Sequence, residues 1–217
     1  MSCYLFHPLK YYGSCKQSLG KGEYGFVRRY IQADTNKIYA VKIHENITSM
    51  LREMSVLLKC RENNSVIDVL DAGYDSSRKA YYHVMPAAEC NLYDMIEKDY
   101  FVKHPDKVKH TFYQIVCGVN ALHEKGIMHR DIKAENILHM GNNKFTLCDF
   151  GLSKMFGIPG EAYTDYMITR CYRSPENHAE TEDYSFGVDV WSLGCLFCEL
   201  ILNKLPWHNQ ENHQLFD

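Results

Sequence analysis

Two short strings concentrate the side chains best suited to chemistry: His129-Arg130-Asp131-Ile132-Lys133-Ala134-Glu135-Asn136 and Asp149-Phe150-Gly151. Asp149 and Asn136 offer hard oxygens of the kind Mg2+ accepts while it keeps several waters and bridges phosphates. Earlier, Gly20-Lys21-Gly22-Glu23-Tyr24-Gly25-Phe26-Val27 spells GxGxxGxV. Glycines at a hairpin tip let backbone amides approach phosphate oxygens without obstruction. The same spacing occurs in dinucleotide-binding turns, which run from a strand into a helix. Lys42 closes the apolar run Tyr39-Ala40-Val41-Lys42 and is either a solvated edge lysine or one half of an ion pair. Glu53, beside Arg52, could meet it and hold its ammonium against phosphates. Acids for a metal and a cation for phosphate suit phosphoryl transfer, which needs positioning and charge neutralisation more than covalent help.

The elements around these residues change character along the chain. YGFVRRYIQ and IYAVKIH flank the turn-rich ADTNK and read as an antiparallel hairpin, so the glycines lie between strands, against a dinucleotide fold. In ITSMLREMSVLLKC, Met50, Leu51, Met54, Leu57 and Leu58 recur at helical period. VIDVLDAGY and AYYHVM are two further strand candidates. From Asn91 the texture turns helical: NLYDMIEKDY and VKHTFYQIVCGVNALHEKG are amphipathic, the second stopping at Gly126. A last apolar helix is expected from Asp189 to Asn203. The change falls at Pro86 to Glu89, and no internal repeat or low-complexity segment appears.

The chain has 217 residues, 46% of them apolar, enough for one large domain or two lobes around a core. A net charge of −3 gives no basic surplus, which argues against duplex nucleic acid as a main partner. Nine scattered cysteines without framework spacing indicate a reducing compartment, hence an intracellular, cytoplasmic and/or nuclear protein. The amino terminus lacks an apolar signal core, and Ser192 and Glu199 interrupt the longest apolar run, so neither a signal peptide nor a membrane span is expected.

Taken together, the motifs resemble the eukaryotic protein kinase family, from about Leu19 onward. The resemblance implies an α+β, bilobal fold: an N-lobe over residues 1–85 with a small antiparallel sheet and one helix, a hinge over 86–90, and a mainly helical C-lobe over 91–217. It implies ATP and Mg2+ as cofactors. Asp131 would accept the substrate hydroxyl proton, Lys133 would steady the transferring group, Lys42 and Glu53 would form the phosphate-binding ion pair, and Asn136 and Asp149 would hold metal. Leu19, Gly20, Lys21, Gly22, Glu23, Tyr24, Gly25, Phe26, Val27, Ala40, Met85, Pro86, Ala88 and Leu138 would line the nucleotide cleft. Met85 corresponds to the gatekeeper. Pro86 keeps the carbonyl that the first hinge position needs, and Ala88 would give the N–H donor. Lys133 resembles the serine/threonine class.

The segment DFGLSKMFGIPGEAYTDYMITRCYRSPE resembles the activation loops of cyclin-dependent and mitogen-activated protein kinases. Thr164 and Tyr166 stand where those families carry activating phosphate, which implies an upstream kinase. Phosphate on Thr164 could be bound by Arg130 and other cations, ordering the loop. Arg173 matches the arginine that favours proline after the phosphorylated residue, implying Ser/Thr-Pro protein substrates. Tyr24 falls at an inhibitory position. Ser49, Arg52 and Glu53 loosely resemble a cyclin-binding helix, so a cyclin-like or other activating partner is a further expectation.

The large lobe reads as incomplete: in the family Glu176 pairs with an arginine beyond this sequence, and the face bearing Trp191, Leu193, Leu196 and Phe197 would lose cover. The alternative is therefore a truncated, kinase-like module that binds nucleotide or a partner without turnover.

Overall fold

The computed structural model describes residues 18–22, 25–32, 35–155, 170–175 and 185–205. Five antiparallel strands, β1 (Ser18–Gly22), β2 (Gly25–Ile31), β3 (Ile38–His44), β4 (Asp71–Asp75) and β5 (Ala80–Pro86), form one sheet in the order β1-β2-β3-β5-β4. The expected hairpin is β2 and β3, paired without a bulge from Gly25 opposite His44 to Ile31 opposite Ile38. A Cβ on Gly25 would sit 2.0 Å from the Ile43 carbonyl oxygen, so the close pairing beside the hairpin tip requires glycine.

Alternation along β3 sorts its side chains between two clusters. Val41 and Ile43 join Tyr30, Tyr82 and Val84 in a small cluster on one face. Ala40 joins the main core on the other. Helix α1 (Ile47–Lys59) is capped by Asn46, whose side chain accepts from the Ser49 N–H at 2.9 Å. It buries Ser49, Met50, Glu53, Met54, Val56 and Leu57. Leu51 and Leu58, expected on the apolar face, are exposed instead. The inward stripe runs through Ser49, Glu53 and Val56, so two polar side chains occupy places that a purely hydrophobic reading gives to leucine.

After β5, the short strand β6 (Cys90–Asn91) leads into α2 (Leu92–Glu97), α3 (Tyr100–Lys103) and α4 (Asp106–His123). The helix expected over NLYDMIEKDY breaks because Asp99 adopts a left-handed backbone, φ 57°. A reciprocal Asn91–Asp94 capping box fixes the start of α2. Helix α4 ends at His123, with Gly126 at φ 71° turning the chain into β7 (Ile127–Met128). Strands β8 (Ile137–His139) and β9 (Phe145–Leu147) join β6 in a three-stranded sheet, and β10 (Lys154–Met155) pairs with β7. Helix α5 (Gly187–Leu202) buries Leu193 and Leu196 in the main core, while Trp191 and Phe197 lie on its exposed side with Val190, Ile201 and Leu202. The four residues grouped above as one uncovered face are thus split between core and surface. Among the described residues, no helix is long and apolar enough to cross a membrane.

Candidate active site

The β3–α1 packing resolves the ambiguity at Lys42. Its Nζ lies 2.7 Å from Glu53 Oε2 and 2.8 Å from Asp149 Oδ1, and Lys42 is only 5% exposed. It is a buried cation. Burial works against its charged form, but the two carboxylates outweigh that and raise its pKa. Burial likewise pushes the Asp149 carboxyl up, yet the Lys42 ammonium holds it below the usual carboxylate range. Asp149 has φ 61°, a backbone conformation uncommon outside glycine, and the Gly151 N–H donates to its Oδ1 at 3.4 Å.

The loop between β7 and β8 forms a second polar cluster. Lys133 Nζ reaches the two Asp131 oxygens at 3.1 and 2.8 Å. Asn136 Nδ2 donates to the Asp131 carboxylate and to its backbone oxygen, both at 2.8 Å. These bonds occupy the Asn136 amide nitrogen and leave its side-chain oxygen outside them. Asp149 similarly has one carboxylate oxygen engaged by Lys42 and Gly151 and the other outside those bonds. Hard oxygens from Asn136 and Asp149 are the donor set Mg2+ favours, so these residues fit that ion.

The loop is held from below by a residue that the motifs do not announce. Asp189, fully buried at the start of α5, accepts the His129 and Arg130 backbone N–H groups and a bond from His123 Nε2, each at 2.8 Å. Arg130 needs this support, because its φ is 69°. His129 Nε2 lies 3.1 Å from the Cys148 carbonyl, and its ring packs against fully buried Phe150 with centroids 5.1 Å apart and planes inclined at 54°, linking this loop to the Asp149 segment. Farther along α5, buried Glu199 accepts from the Tyr172 hydroxyl. Burial, then Glu199, pushes the Tyr172 phenol up, and Ser192 Oγ donates to the Tyr172 carbonyl at 2.9 Å. A charged residue at or within an apolar helical run must find partners; that signal could have singled out Asp189 and Glu199, but not the groups they would meet.

Of the nucleotide-lining candidates, Ala40 stands opposite Met85 across β3 and β5, and Val27 opposite Lys42 across β2 and β3. Val27 and Leu138 pack at the margin of the cluster containing Ala40 and Met85. Pro86 ends β5, Ala88 is half-buried, Phe26 packs toward the small outer cluster, and Leu19 is exposed. Gly20, Lys21 and Gly22 lie in β1, while Glu23, Tyr24, Thr164, Tyr166 and Glu176 lie outside the described residues. Arg130 and Arg173 are half-buried.

Residues 14–217 match the protein kinase domain. The chain belongs to the protein kinase family. Over 195 residues this kinase domain is 32% identical to mitogen-activated protein kinase 2 of Arabidopsis thaliana, covering 86% of the chain and 52% of that protein. Human cyclin-dependent kinase-like 2 is 33% identical over 197 residues, 86% of the chain and 38% of its own length. Cyclin-dependent kinase G-2 of Oryza sativa subsp. indica is 32% identical over 210 residues, 92% of the chain and 29% of its own length. The chain therefore spans about half or less of the length of these curated relatives.

One buried pair belongs to none of the kinase motifs. His44 Nε2 and His83 Nδ1 lie 2.8 Å apart behind Lys42, and both rings are buried. Burial, reinforced by the neighbouring ring for His44 and by Lys42 for His83, lowers each to about 3. In the unfolded chain both would take up protons as pH falls through about 6.5, whereas the fold keeps them neutral. Stability should therefore be fully present well above that value and fall on the acid side, by about 1 kcal/mol for each histidine between pH 6.5 and 5.5. Urea unfolding at pH 6.5 and 5.5, above the range where carboxylates titrate, should show this loss, and His44→Leu should roughly halve it.

Proposed function

We propose that this domain is a protein serine/threonine kinase that transfers the γ-phosphoryl group of ATP to protein hydroxyls. The observation that carries this reading is the buried Lys42 held by both Glu53 and Asp149, in a chain that also gathers Asp131, Lys133 and Asn136 into one cluster. Lys42, fixed by Glu53, presents its ammonium to the nucleotide phosphates. Asp131 accepts the proton of the attacking hydroxyl, while Lys133 keeps positive charge beside it, where the transferring group is steadied. Bound through Asn136 and Asp149, Mg2+ would neutralise charge on the phosphates. The β1–β2 hairpin covers the nucleotide, and Met85, Pro86 and Ala88 form the hinge between the sheet-based lobe and the helical one.

Lys133 and the similarity to mitogen-activated and cyclin-dependent-like kinases support the serine/threonine class. Arg173 supports a preference for proline after the acceptor. Phosphorylation of Thr164, with Tyr166 as a second site, activates by pairing with Arg130; an upstream kinase supplies it, and a cyclin-like partner on α1 is the further activator this reading carries.

The test is ATP-dependent phosphate incorporation into a generic basic protein, into the chain itself and into paired Ser-Pro and Ser-Ala peptides. Transfer is expected, faster for Ser-Pro and absent in Asp149→Ala. A folded chain phosphorylated on Thr164 that binds Mg-ATP without transfer would overturn the catalytic reading, and equal rates on the two peptides the proline preference.

A further inference from the structure

Behind the Lys42–Glu53 ion pair lie two buried histidines that phosphoryl transfer does not use. His44, at the end of β3, and His83, in the middle of β5, project from the sheet toward α1, where Glu53 completes a triad. One ligand atom from each of the three lies within 4.8 Å of the other two, and all three residues are at least nine-tenths buried. We propose that His44, His83 and Glu53 form a regulatory site for a divalent transition-metal ion, with Zn2+ the best match, and that its occupation weakens the hold of Glu53 on Lys42.

The chemistry of the donors selects the ion. Two imidazoles and one carboxylate are a characteristic zinc set, whereas Mg2+ prefers oxygen ligands alone. Both rings are neutral near pH 7, so their nitrogens bring lone pairs without first releasing an imidazolium proton. His44 Nε2 and His83 Nδ1 already face one another at 2.8 Å. Two nitrogens on tetrahedral zinc sit about 3.3 Å apart, so the rings need to part by about half an ångström. Rearrangement of the ring hydrogens is supported at His44: Ser49 Oγ lies 3.4 Å from its Nδ1 and donates its own hydrogen to the Asn46 carbonyl, leaving a lone pair to accept. Glu53 Oε1 stands 4.0 Å from His83 Nε2, the ring nitrogen that points away from His44, so the carboxylate joins the two imidazoles on one ion once the His83 ring turns. Electrostatics agree, because one ammonium faces two carboxylates, and the Lys42–Glu53–Asp149 group carries a net negative charge. A water would fill the fourth position.

Glu53 faces Lys42 through Oε2 and His83 through Oε1, so an ion bound at Oε1 draws on the charge of the carboxylate that also holds the ammonium. A bound ion therefore weakens the ion pair and places positive charge beside the ammonium, so metal and Mg-ATP antagonise one another. That consequence rests on the phosphotransfer reading; metal binding itself does not. The enclosed position also means that the ion enters when α1 moves away from the sheet, coupling uptake to helix position.

The experiment is Zn2+ titration of the whole nucleotide-free chain against a chromophoric chelator, for wild type, His44→Leu and His83→Leu. Because the chain has 11 histidines, the expected result is one tight equivalent in wild type that weakens about tenfold or more in either variant. Kinase activity, assayed at fixed free Zn2+, should be inhibited in wild type and resistant in the variants. Co2+ loading of wild type provides a readout that requires no substitution to fold: a tetrahedral site gives intense visible absorption, which Mg-ATP should diminish. Absence of a tight equivalent, tight binding undiminished in both variants, or only the weak absorption of octahedral Co2+ would overturn the proposal.

Discussion

Asp131→Asn should lower kcat/KM for phosphate transfer by about two to four orders of magnitude, the range associated with losing a positioned general base. The change is nearly isosteric. With its oxygen in the Oδ2 place, the new amide can still accept from Asn136 Nδ2 and Lys133 Nζ, each 2.8 Å from that atom, while its NH2 group takes the Oδ1 place. What disappears is the negative charge and the capacity to take a proton from a hydroxyl. Nucleotide affinity should change little, because Lys42, Glu53 and Asp149 stand outside the substitution. Steady-state transfer measured beside equilibrium binding of Mg-ATP separates these effects. A variant retaining wild-type turnover would remove Asp131 from the proton-transfer step, whereas loss of both affinity and turnover would indicate collapse of the loop.

Asp189→Ala should bring the largest loss of stability, about 3–5 kcal/mol, comparable to much of a domain's total margin. The carboxylate is fully buried and accepts three bonds, two of them from backbone N–H groups. Truncation leaves those donors without their partner, each unsatisfied group costing about 1–3 kcal/mol. It also releases the left-handed Arg130 backbone next to Asp131, so transfer should fail even in the fraction that remains folded. Urea unfolding of Asp189→Ala beside Val190→Ala provides the check. Val190 neighbours Asp189 on α5 but is 60% exposed, so its substitution should cost no more than about 0.5 kcal/mol. Equal unfolding midpoints would show that the loop is held by something other than Asp189.

Local pattern made several of these elements legible. The β2–β3 hairpin follows from two β-rich runs around a turn-rich connector, and α1 from apolar spacing behind an asparagine cap. The pattern was less informative where local preference met packing. Leu51 and Leu58 have the right period for a buried stripe, yet Ser49 and Glu53 take the inward positions because Glu53 has a cation to meet. NLYDMIEKDY has the composition of one helix, but the left-handed residue at Asp99 divides it, and periodicity does not encode the sign of φ.

The sequence by itself determined the chemical inventory and the family it resembles, because these reside in residue types at short, fixed spacings: the glycine pattern, Lys42, Asp131 to Asn136, and Asp149 to Gly151. The partners of the buried charges were decided only by tertiary structure. Lys42 and Asp149 are remote in the chain yet 2.8 Å apart, and Asp189 supports a loop from another element. His44 and His83 met because β3 pairs with β5 in a register that leaves both rings on the inner face of the sheet. A buried ionic or polar group is tolerated only when the fold delivers its complement, and that complement comes from sheet register and helix packing rather than from neighbours in sequence.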